Sequence, residues 1–265
     1  MKIQVFLFCL LFASAGSGQT IIKKDTLGKS TVTLHTSVFG ASDSSITFLN
    51  LHENEQASVM AAKEVLAKHA LFSLTELKAR HTRFLQFSYK GRDYAVDPNR
   101  IFTTQGAEAT LHKNSHYLSE EHFKEALLQV RQFAQNLTES FVDNKRMVVA
   151  LHNNTEGEPL SIISYKSGDQ QKNTAAVHMN LRHDPDDFFL TTEKRFYRFL
   201  KAKGFNVVLQ DNDNVEDDGS LSVYAGKKKI PYINIEAQIN HQAEQEEMIE
   251  AVLLLVKTQV SESGD

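Results

Sequence analysis

The stretch ITFLNLHENEQASVMAAKEVL, residues 46 to 66, joins an apolar run to a helix-like pattern through two polar side chains. The apolar run at residues 46 to 51 has the length and composition of a buried strand. His52 and Glu55 follow it, and residues 56 to 68 then repeat apolar side chains at helical spacing. Ligands and metals bind at strand ends in α/β sheets. This junction therefore either holds a metal or is ordinary polar loop chemistry.

The rest of the chain alternates strand-like and helix-like segments. Strand patterns cover residues 31 to 39, 46 to 51, 83 to 89, 94 to 96, 147 to 151, 160 to 165, 206 to 210 and 232 to 236. Helical patterns cover residues 56 to 68, 119 to 142, 191 to 203 and 241 to 260. The first two strand segments look like neighbours. The alternation predicts an α/β fold, a three-layer sandwich with a mixed, largely parallel central sheet flanked by helices.

The length of the chain, 265 residues, is enough for one sizeable core. The chain shows no internal repeat, low-complexity tract or Pro/Ser-rich linker. We predict a signal peptide at residues 1 to 19, because Lys2 precedes an apolar stretch and a small-residue exit. A retained anchor is the alternative. Residues 20 to 265 then form a single domain of a secreted or periplasmic protein.

Cysteine usage and charge limit the function classes. Cys9 is the only cysteine and lies in the predicted signal peptide, so the mature chain has no disulfide or thiolate ligand. A transition metal would have to be held by His, Asp and Glu. The formal net charge of −4, without a basic stripe, argues against a nucleic-acid partner. After signal cleavage, no remaining segment is apolar enough to cross a membrane.

The spacing His-x-x-Glu is a weak signal by itself, since about one chance match is expected at ordinary composition. It occurs three times, at His52/Glu55, His122/Glu125 and His241/Glu244. The second and third pairs fall in predicted helices among other charges, and we interpret them as solvated faces. Only the first pair follows a buried strand.

Three further segments bring polar side chains to strand ends. They are GRDYAVDPNRIF at residues 91 to 102, VVALHNNTEG at 148 to 157 and IPYINIEAQ at 230 to 238. Ordinary loops would not be expected to end four apolar strands repeatedly in His, Glu, Asn or Arg. This repetition favours a functional site over ordinary loop chemistry at the first strand end.

Together these segments resemble the zinc carboxypeptidase superfamily, including its succinylglutamate desuccinylase/aspartoacylase-like branch. The zinc-binding His-x-x-Glu pair of the superfamily corresponds to His52 and Glu55. Its third ligand, a histidine at a strand end, corresponds to His152. The late catalytic glutamate corresponds to Glu236. The resemblance spans residues 46 to about 238.

The aspartoacylase-like branch adds a second motif. Its Asp-Leu-Asn-Arg, followed by a hydrophobic pair, corresponds to Asp-Pro-Asn-Arg-Ile-Phe at residues 97 to 102. An arginine eight residues before the last arginine of that motif corresponds to Arg92. Where the branch has glycine after the first zinc histidine, this chain has Glu53.

The resemblance implies a role for each of these residues. One zinc per chain would bind to His52, Glu55 and His152, leaving a fourth position for water. Glu236 would be the general base and Arg92 would face the developing oxyanion. A substrate carboxylate would bind to Asn99 and Arg100.

The expected function is a secreted zinc-dependent amide hydrolase. It would act on a small peptide or an N-acyl amino acid with a free carboxylate, removing the C-terminal residue or the acyl group. The alternative is a catalytically inactive module of the same fold that binds a carboxylate or peptide. Ordinary structural roles also stay open for single residues: His152 as a hydrogen-bonded strand-end histidine, Arg100 as a partner of Asp97, and Arg92 as a solvated turn residue.

Overall fold

The computed structural model of the protein describes residues 19 to 40, 43 to 115, 119 to 155 and 160 to 262. The predicted signal peptide and Cys9 lie outside the described residues, apart from Gln19, with which the first strand begins. Among the described residues, no helix combines the length and apolarity that a membrane crossing requires.

Eleven strands occur in the described part of the chain. They are β1 (Gln19–Leu27), β2 (Ser30–Val38), β3 (Ile46–Asn50), β4 (Ser73–Lys78), β5 (Leu85–Tyr89), β6 (Arg92–Val96), β7 (Met147–Asn154), β8 (Thr174–His178), β9 (Phe188–Thr191), β10 (Val207–Gln210) and β11 (Tyr232–Gln238). Nine of them form one sheet in the order β1-β2-β4-β3-β7-β11-β9-β10-β8, and β5 and β6 form a separate hairpin.

The centre of the sheet is parallel. Strands β4, β3, β7 and β11 run in one direction, each beside the next. Antiparallel pairings lie outside this centre, between β1 and β2, β2 and β4, β11 and β9, and β10 and β8. Because the four central strands are parallel, their carboxyl ends meet at one edge of the sheet.

Helices cover both faces of the sheet. They are α1 (Gln56–His69), α2 (Thr104–Asn114), α3 (Glu120–Phe141), α4 (Ile162–Ser167), α5 (Lys194–Ala202), α6 (Leu221–Lys228) and α7 (Gln242–Glu262). One apolar core joins the sheet to α1, α5 and α7, and a second core joins its other face to α2, α3, α4 and α6. The predicted three-layer α/β sandwich with a mixed sheet and parallel centre is confirmed.

Local sequence signals explain where these elements begin. All five residues of β3 are buried, as expected for a continuous apolar run in the middle of a parallel sheet. Helix α3 begins after Ser119, whose hydroxyl accepts a hydrogen bond from the backbone N–H of His122 at 3.4 Å. The hairpin turns through Lys90 and Gly91, with φ of 48° and 76°, the positive values that a tight two-residue hairpin turn requires.

Two sequence-based expectations are wrong. Residues 31 to 39 and 46 to 51 are not neighbours, because β4 lies between β2 and β3 and pairs with both. A parallel pairing needs a crossover, and α1 supplies it before the chain enters β4. Residues 160 to 165 do not form a strand but lead into α4, whose first turn is capped by Ser161.

Candidate metal centre

His52, Glu55 and His152 meet at the carboxyl edge of the parallel strands. His52 lies two residues beyond the end of β3, Glu55 immediately precedes α1, and His152 lies two residues before the end of β7. Strands β3 and β7 are neighbours, so both histidines emerge at the same edge. All three side chains are buried, with at most 4% of any residue exposed.

The nitrogen and oxygen atoms of these residues converge on one point. Nδ1 of His52 lies 3.0 Å from Oε1 of Glu55, and Nδ1 of His152 lies 2.9 Å from Oε2 of the same carboxylate. The two Nδ1 atoms are 3.3 Å apart. Burial would raise the pKa of Glu55, but its contacts with His152 and His52 outweigh burial and hold the pKa well below its usual range.

The donor set fits zinc. Ligands bonded to a tetrahedral zinc at 2.0–2.1 Å lie about 3.3 Å from one another, close to the separations found here. The three ligand atoms lie within 4.8 Å of one another, so these residues could hold a metal ion. Nδ1 of His152 is the nitrogen that faces the other two ligands, while its Nε2 is buried without a hydrogen-bond partner among the described residues.

Asp97 lies behind His52 and sets the orientation of its ring. Oδ1 of Asp97 is 2.8 Å from Nε2 of His52, which directs Nδ1 toward Glu55 and His152. Metal-binding histidines commonly have such a carboxylate on the second nitrogen. Burial opposes ionisation of Asp97, but the hydrogen bond from His52 and the charge of Arg83 hold the pKa of Asp97 below its usual range. The sequence motif included Asp97, but its contact with His52 was not foreseen.

Two amide side chains tie the end of β7 to the helices beside it. Gln245 of α7 donates to the carbonyl of His152 at 3.0 Å and accepts from Asn153 at 2.9 Å. Asn153 in turn accepts from the backbone N–H of Ser58, in α1, at 2.7 Å. The backbone of His152 is therefore held between two helices, which limits how far its ring can move.

Glu236 lies on the strand next to His152. In the register of the parallel strands β11 and β7, Glu236 is directly opposite His152, so both side chains leave the same face of the sheet. Glu236 is buried, and its Oε1 accepts a hydrogen bond from Asn234 at 3.0 Å. Burial raises the pKa of Glu236, and the nearby charge of His152 offsets this only in part. A carboxylate with a raised pKa is a better proton acceptor near neutral pH.

Asn99 and Arg100 lie in a short 3-10 helix, Pro98–Arg100, directly after Asp97. The side-chain oxygen of Asn99 accepts from the backbone N–H of Leu221, and Nη2 of Arg100 lies 3.6 Å from Asp218. About a third of the Arg100 side chain is exposed. It lines a cavity of about 360 Å³ together with Asp97 and Arg83. Arg100 thus lies beside the cluster of His52, Glu55 and His152, called the cluster below, and is accessible to a ligand.

Arg92 is placed elsewhere. It is the first residue of β6, it is exposed, and it pairs with Tyr89 at the turn of the hairpin. Val96, at the other end of β6, leads to the cluster through Asp97. The four steps along the strand from Arg92 to Val96 span about 13 Å, and Asp97 is one residue further, so the backbone of Arg92 lies far from Asp97. Arg92 is therefore not among the residues that the structure brings together at the cluster, and the oxyanion role that the resemblance implies for it stays a prediction.

Arg83 occupies the position beside the cluster instead. Its Nη1 lies 3.0 Å from Oε1 of Glu55, and its Nε lies 3.5 Å from Oδ2 of Asp97. With 43% of its side chain exposed, the guanidinium also reaches the adjoining cavity. No sequence signal pointed to Arg83, because residues 83 to 89 read as an ordinary strand. Its proximity to the cluster arises from the path of the chain between β4 and β5.

Comparisons with known proteins found similar solved structures but no similar sequences. No family model matches the sequence, and no curated protein matches it. Among solved structures, a protein of Shewanella denitrificans OS217 assigned by inference as a metallopeptidase has 16% identity and a TM-score of 0.40 over 88% of this chain and 81% of that one. A protein of Shewanella baltica OS155 with the same assignment has 12% identity and a TM-score of 0.39, over 89% and 86%.

An aspartoacylase family protein of Mesorhizobium loti has 11% identity and a TM-score of 0.41, covering 88% of this chain and 67% of that one. At such identities and TM-scores, the functional interpretation rests on the residues of this chain.

Proposed function

We propose that the protein is a secreted zinc-dependent amide hydrolase that binds one zinc through His52, Glu55 and His152. The observation that carries the proposal is the convergence of these three buried side chains, at donor separations of 2.9–3.3 Å, beside a fourth buried group, Glu236. Two imidazoles and a carboxylate are a usual ligand set of catalytic zinc, which keeps a further position open.

The protein groups around this centre match the steps of amide hydrolysis. Bound zinc would supply a Lewis acid that lowers the pKa of a water molecule toward neutrality and polarises the scissile carbonyl. Glu236 accepts the proton of the attacking water and returns it to the leaving nitrogen. Arg83 presents its guanidinium to the negative charge that develops on the carbonyl oxygen, where a fixed charge stabilises the transition state more than the ground state.

Arg100 defines the proposed substrate class. A guanidinium that is partly exposed in a cavity beside the cluster can bind a carboxylate through two parallel hydrogen bonds, and Asn99 flanks it. Asp218 now lies 3.6 Å from Arg100 and would be exchanged for the carboxylate of the ligand. The substrate is accordingly a small peptide with a free C-terminus or an N-acyl amino acid.

The test is hydrolysis by purified, zinc-loaded protein of a panel that contains short peptides and N-acyl amino acids. Each substrate is paired with its C-terminal amide. The proposal expects turnover that disappears on chelation, returns with zinc, and is much weaker for the amides. Binding of the carboxylates with zinc-independent affinity and without turnover would contradict it, and would favour an inactive binding module.

A further inference from the structure

Glu53 stands between two candidate metal ligands in the sequence, yet its carboxylate binds a different segment of the chain. The residue is 5% exposed. Its Oε2 accepts hydrogen bonds from two backbone N–H groups, that of Ala79 at 2.6 Å and that of His81 at 2.8 Å. The nearest cation, Nζ of Lys78, is 3.7 Å away, so the two backbone bonds are its closest contacts. Glu53 therefore fastens the segment that follows β4 to the strand end that carries His52.

The fastened segment, residues 79 to 84, is called the 79–84 turn. Arg80 and His81 have φ of 55° and 61°, the left-handed backbone conformation that residues other than glycine rarely adopt. Two such residues in succession persist only where surrounding contacts hold them. Thr82 supplies part of this hold, donating its hydroxyl to the carbonyls of Ala79 and Phe84 at 2.8 Å each. The bonds to Glu53 tie the turn to the body of the protein.

The 79–84 turn carries Arg83 to the metal centre. Arg83 lies two residues after His81, and its guanidinium contacts Glu55 at 3.0 Å and Asp97 at 3.5 Å. A long side chain on a loop reaches such a position reproducibly only if the loop backbone is itself held. Glu53 accepts the N–H of His81, and Arg83, two residues after His81, contacts Glu55, two residues after Glu53. The 79–84 turn is therefore linked to the segment of the metal ligands at two points.

We infer that Glu53 is a positioning residue: by accepting the N–H groups of Ala79 and His81, it holds the 79–84 turn so that Arg83 stays beside the metal ligands. The role of Arg83 toward a substrate rests on the proposed function. The positioning itself is a property of the folded chain and can be measured without any substrate.

The experiment compares Glu53→Ala, which removes both acceptors, with Glu53→Gln, whose amide oxygen can still accept both N–H groups. Glu76→Ala is the matched control, because Glu76 is also a buried carboxylate beside Lys78 but has no bond to the turn. Trypsin digestion of the folded full-length proteins, followed by mass spectrometry, measures opening of the turn through cleavage after Arg80 and Arg83. Zinc content and melting temperature are measured on the same samples.

Glu53→Ala is expected to raise the rate of cleavage after Arg80 and Arg83 by about tenfold or more, since two hydrogen bonds to a charged acceptor are lost. Glu53→Gln should stay within about threefold of wild type, and zinc content should persist in both. Glu76→Ala should not favour these two sites over others. Unchanged cleavage in Glu53→Ala, an equal rise at every site, or loss of zinc with an intact turn would each overturn the inference.

Kinetics provide a second arm where the protein turns over a substrate. Glu53→Ala should lower kcat about tenfold in the wild-type background and change it less than about twofold in Arg83→Ala, since the two residues act as one unit. Glu53→Gln should restore most of the rate. Independent, additive losses would contradict positioning through Arg83. If the wild type hydrolyses nothing, the proposed function fails, and the proteolysis arm alone decides the role of Glu53.

Discussion

Glu236 lies directly opposite His152 in the register of two parallel strands, which sets a buried carboxylate beside a candidate metal ligand without making it a fourth ligand. The group of residues that can hold a metal contains His52, Glu55 and His152. A fourth protein ligand would close the site to water. The relationship between Glu236 and His152 therefore suits a proton acceptor next to the centre.

Substitution of Glu236 by glutamine tests this role. Glu236→Gln keeps the size of the side chain but cannot accept a proton from water. We expect turnover to fall by a factor of about 10²–10⁴, the usual contribution of general acid–base catalysis, while zinc content changes little. Steady-state kinetics, elemental analysis and a melting curve on the same preparations provide the comparison. A mutant that hydrolyses as fast as wild type would place the base elsewhere.

Arg100→Ala should weaken substrates through their carboxylate. Loss of one charge-assisted pair in a partly enclosed cavity costs about 2–5 kcal/mol of binding. Amidation of the substrate carboxylate should reproduce that loss in wild type and add little in the mutant, because both changes remove the same contact. Binding is measured by calorimetry with zinc-loaded protein. Losses that simply add would show that Arg100 contacts another part of the substrate.

A comparison of Arg83 with Arg92 tests which arginine stabilises the oxyanion: Arg83 lies beside the cluster in the structure, and Arg92 has the motif spacing in the sequence. Arg83→Ala should lower kcat/KM by a factor of about 10²–10³, as expected for removal of a group that stabilises an oxyanion. Arg92→Ala serves as the control, because Arg92 is exposed at the far end of the hairpin and should change kcat/KM less than about twofold. The reverse ranking would support the oxyanion role that the resemblance implies for Arg92 and would contradict that role for Arg83.

The ionisation of Glu76 makes the stability of the fold depend on pH. Burial would raise its pKa, but hydrogen bonds from Lys63 and Lys78 hold the pKa below the ordinary value of 4.5. A lowered folded-state pKa means that the ionised group stabilises the fold above pH 4.5 and that this contribution is lost as the pH falls through the folded-state value.

Wild type should therefore exceed Glu76→Gln in stability by about 1–3 kcal/mol at pH 7, a range that allows for solvent screening of the partly exposed lysines. The difference should shrink progressively below pH 4.5. Urea unfolding of both proteins across pH 3 to 7, followed by circular dichroism, measures it. A difference that is constant over this range would mean that the ion pairs do not contribute in the folded state.

Much of the candidate site could be predicted because its polar residues lie at or near the ends of apolar strands. Continuous apolar runs mark β3, β7 and β11, and the polar residues after or within them, His52, His152 and Glu236, needed only a parallel sheet to bring them together. The parallel centre followed from alternating strands and helices. Periodicity and fold class indicated which strand ends would share one edge of the sheet, and the resemblance to the zinc carboxypeptidase superfamily selected His52, His152 and Glu236 among the polar residues there.

What could not be predicted depends on three-dimensional register. Residues 83 to 89 read as one strand, but the strand begins only at Leu85, and Arg83 lies in the turn before it. That turn needs two left-handed residues held by Glu53, an arrangement that no local pattern announces. The insertion of β4 between β2 and β3 is likewise a matter of pairing between distant segments, which hydropathy does not encode.

The central claim is that His52, Glu55 and His152 hold one zinc. The most direct measurement is the metal content of wild type, His152→Ala and His122→Ala after zinc loading and removal of free metal. His122 belongs to another His-x-x-Glu pair but lies on α3, away from the centre, and is the matched control. We predict about one zinc per chain in wild type and His122→Ala, and strong loss in His152→Ala. Equal zinc in all three proteins, or none in wild type, would contradict the account.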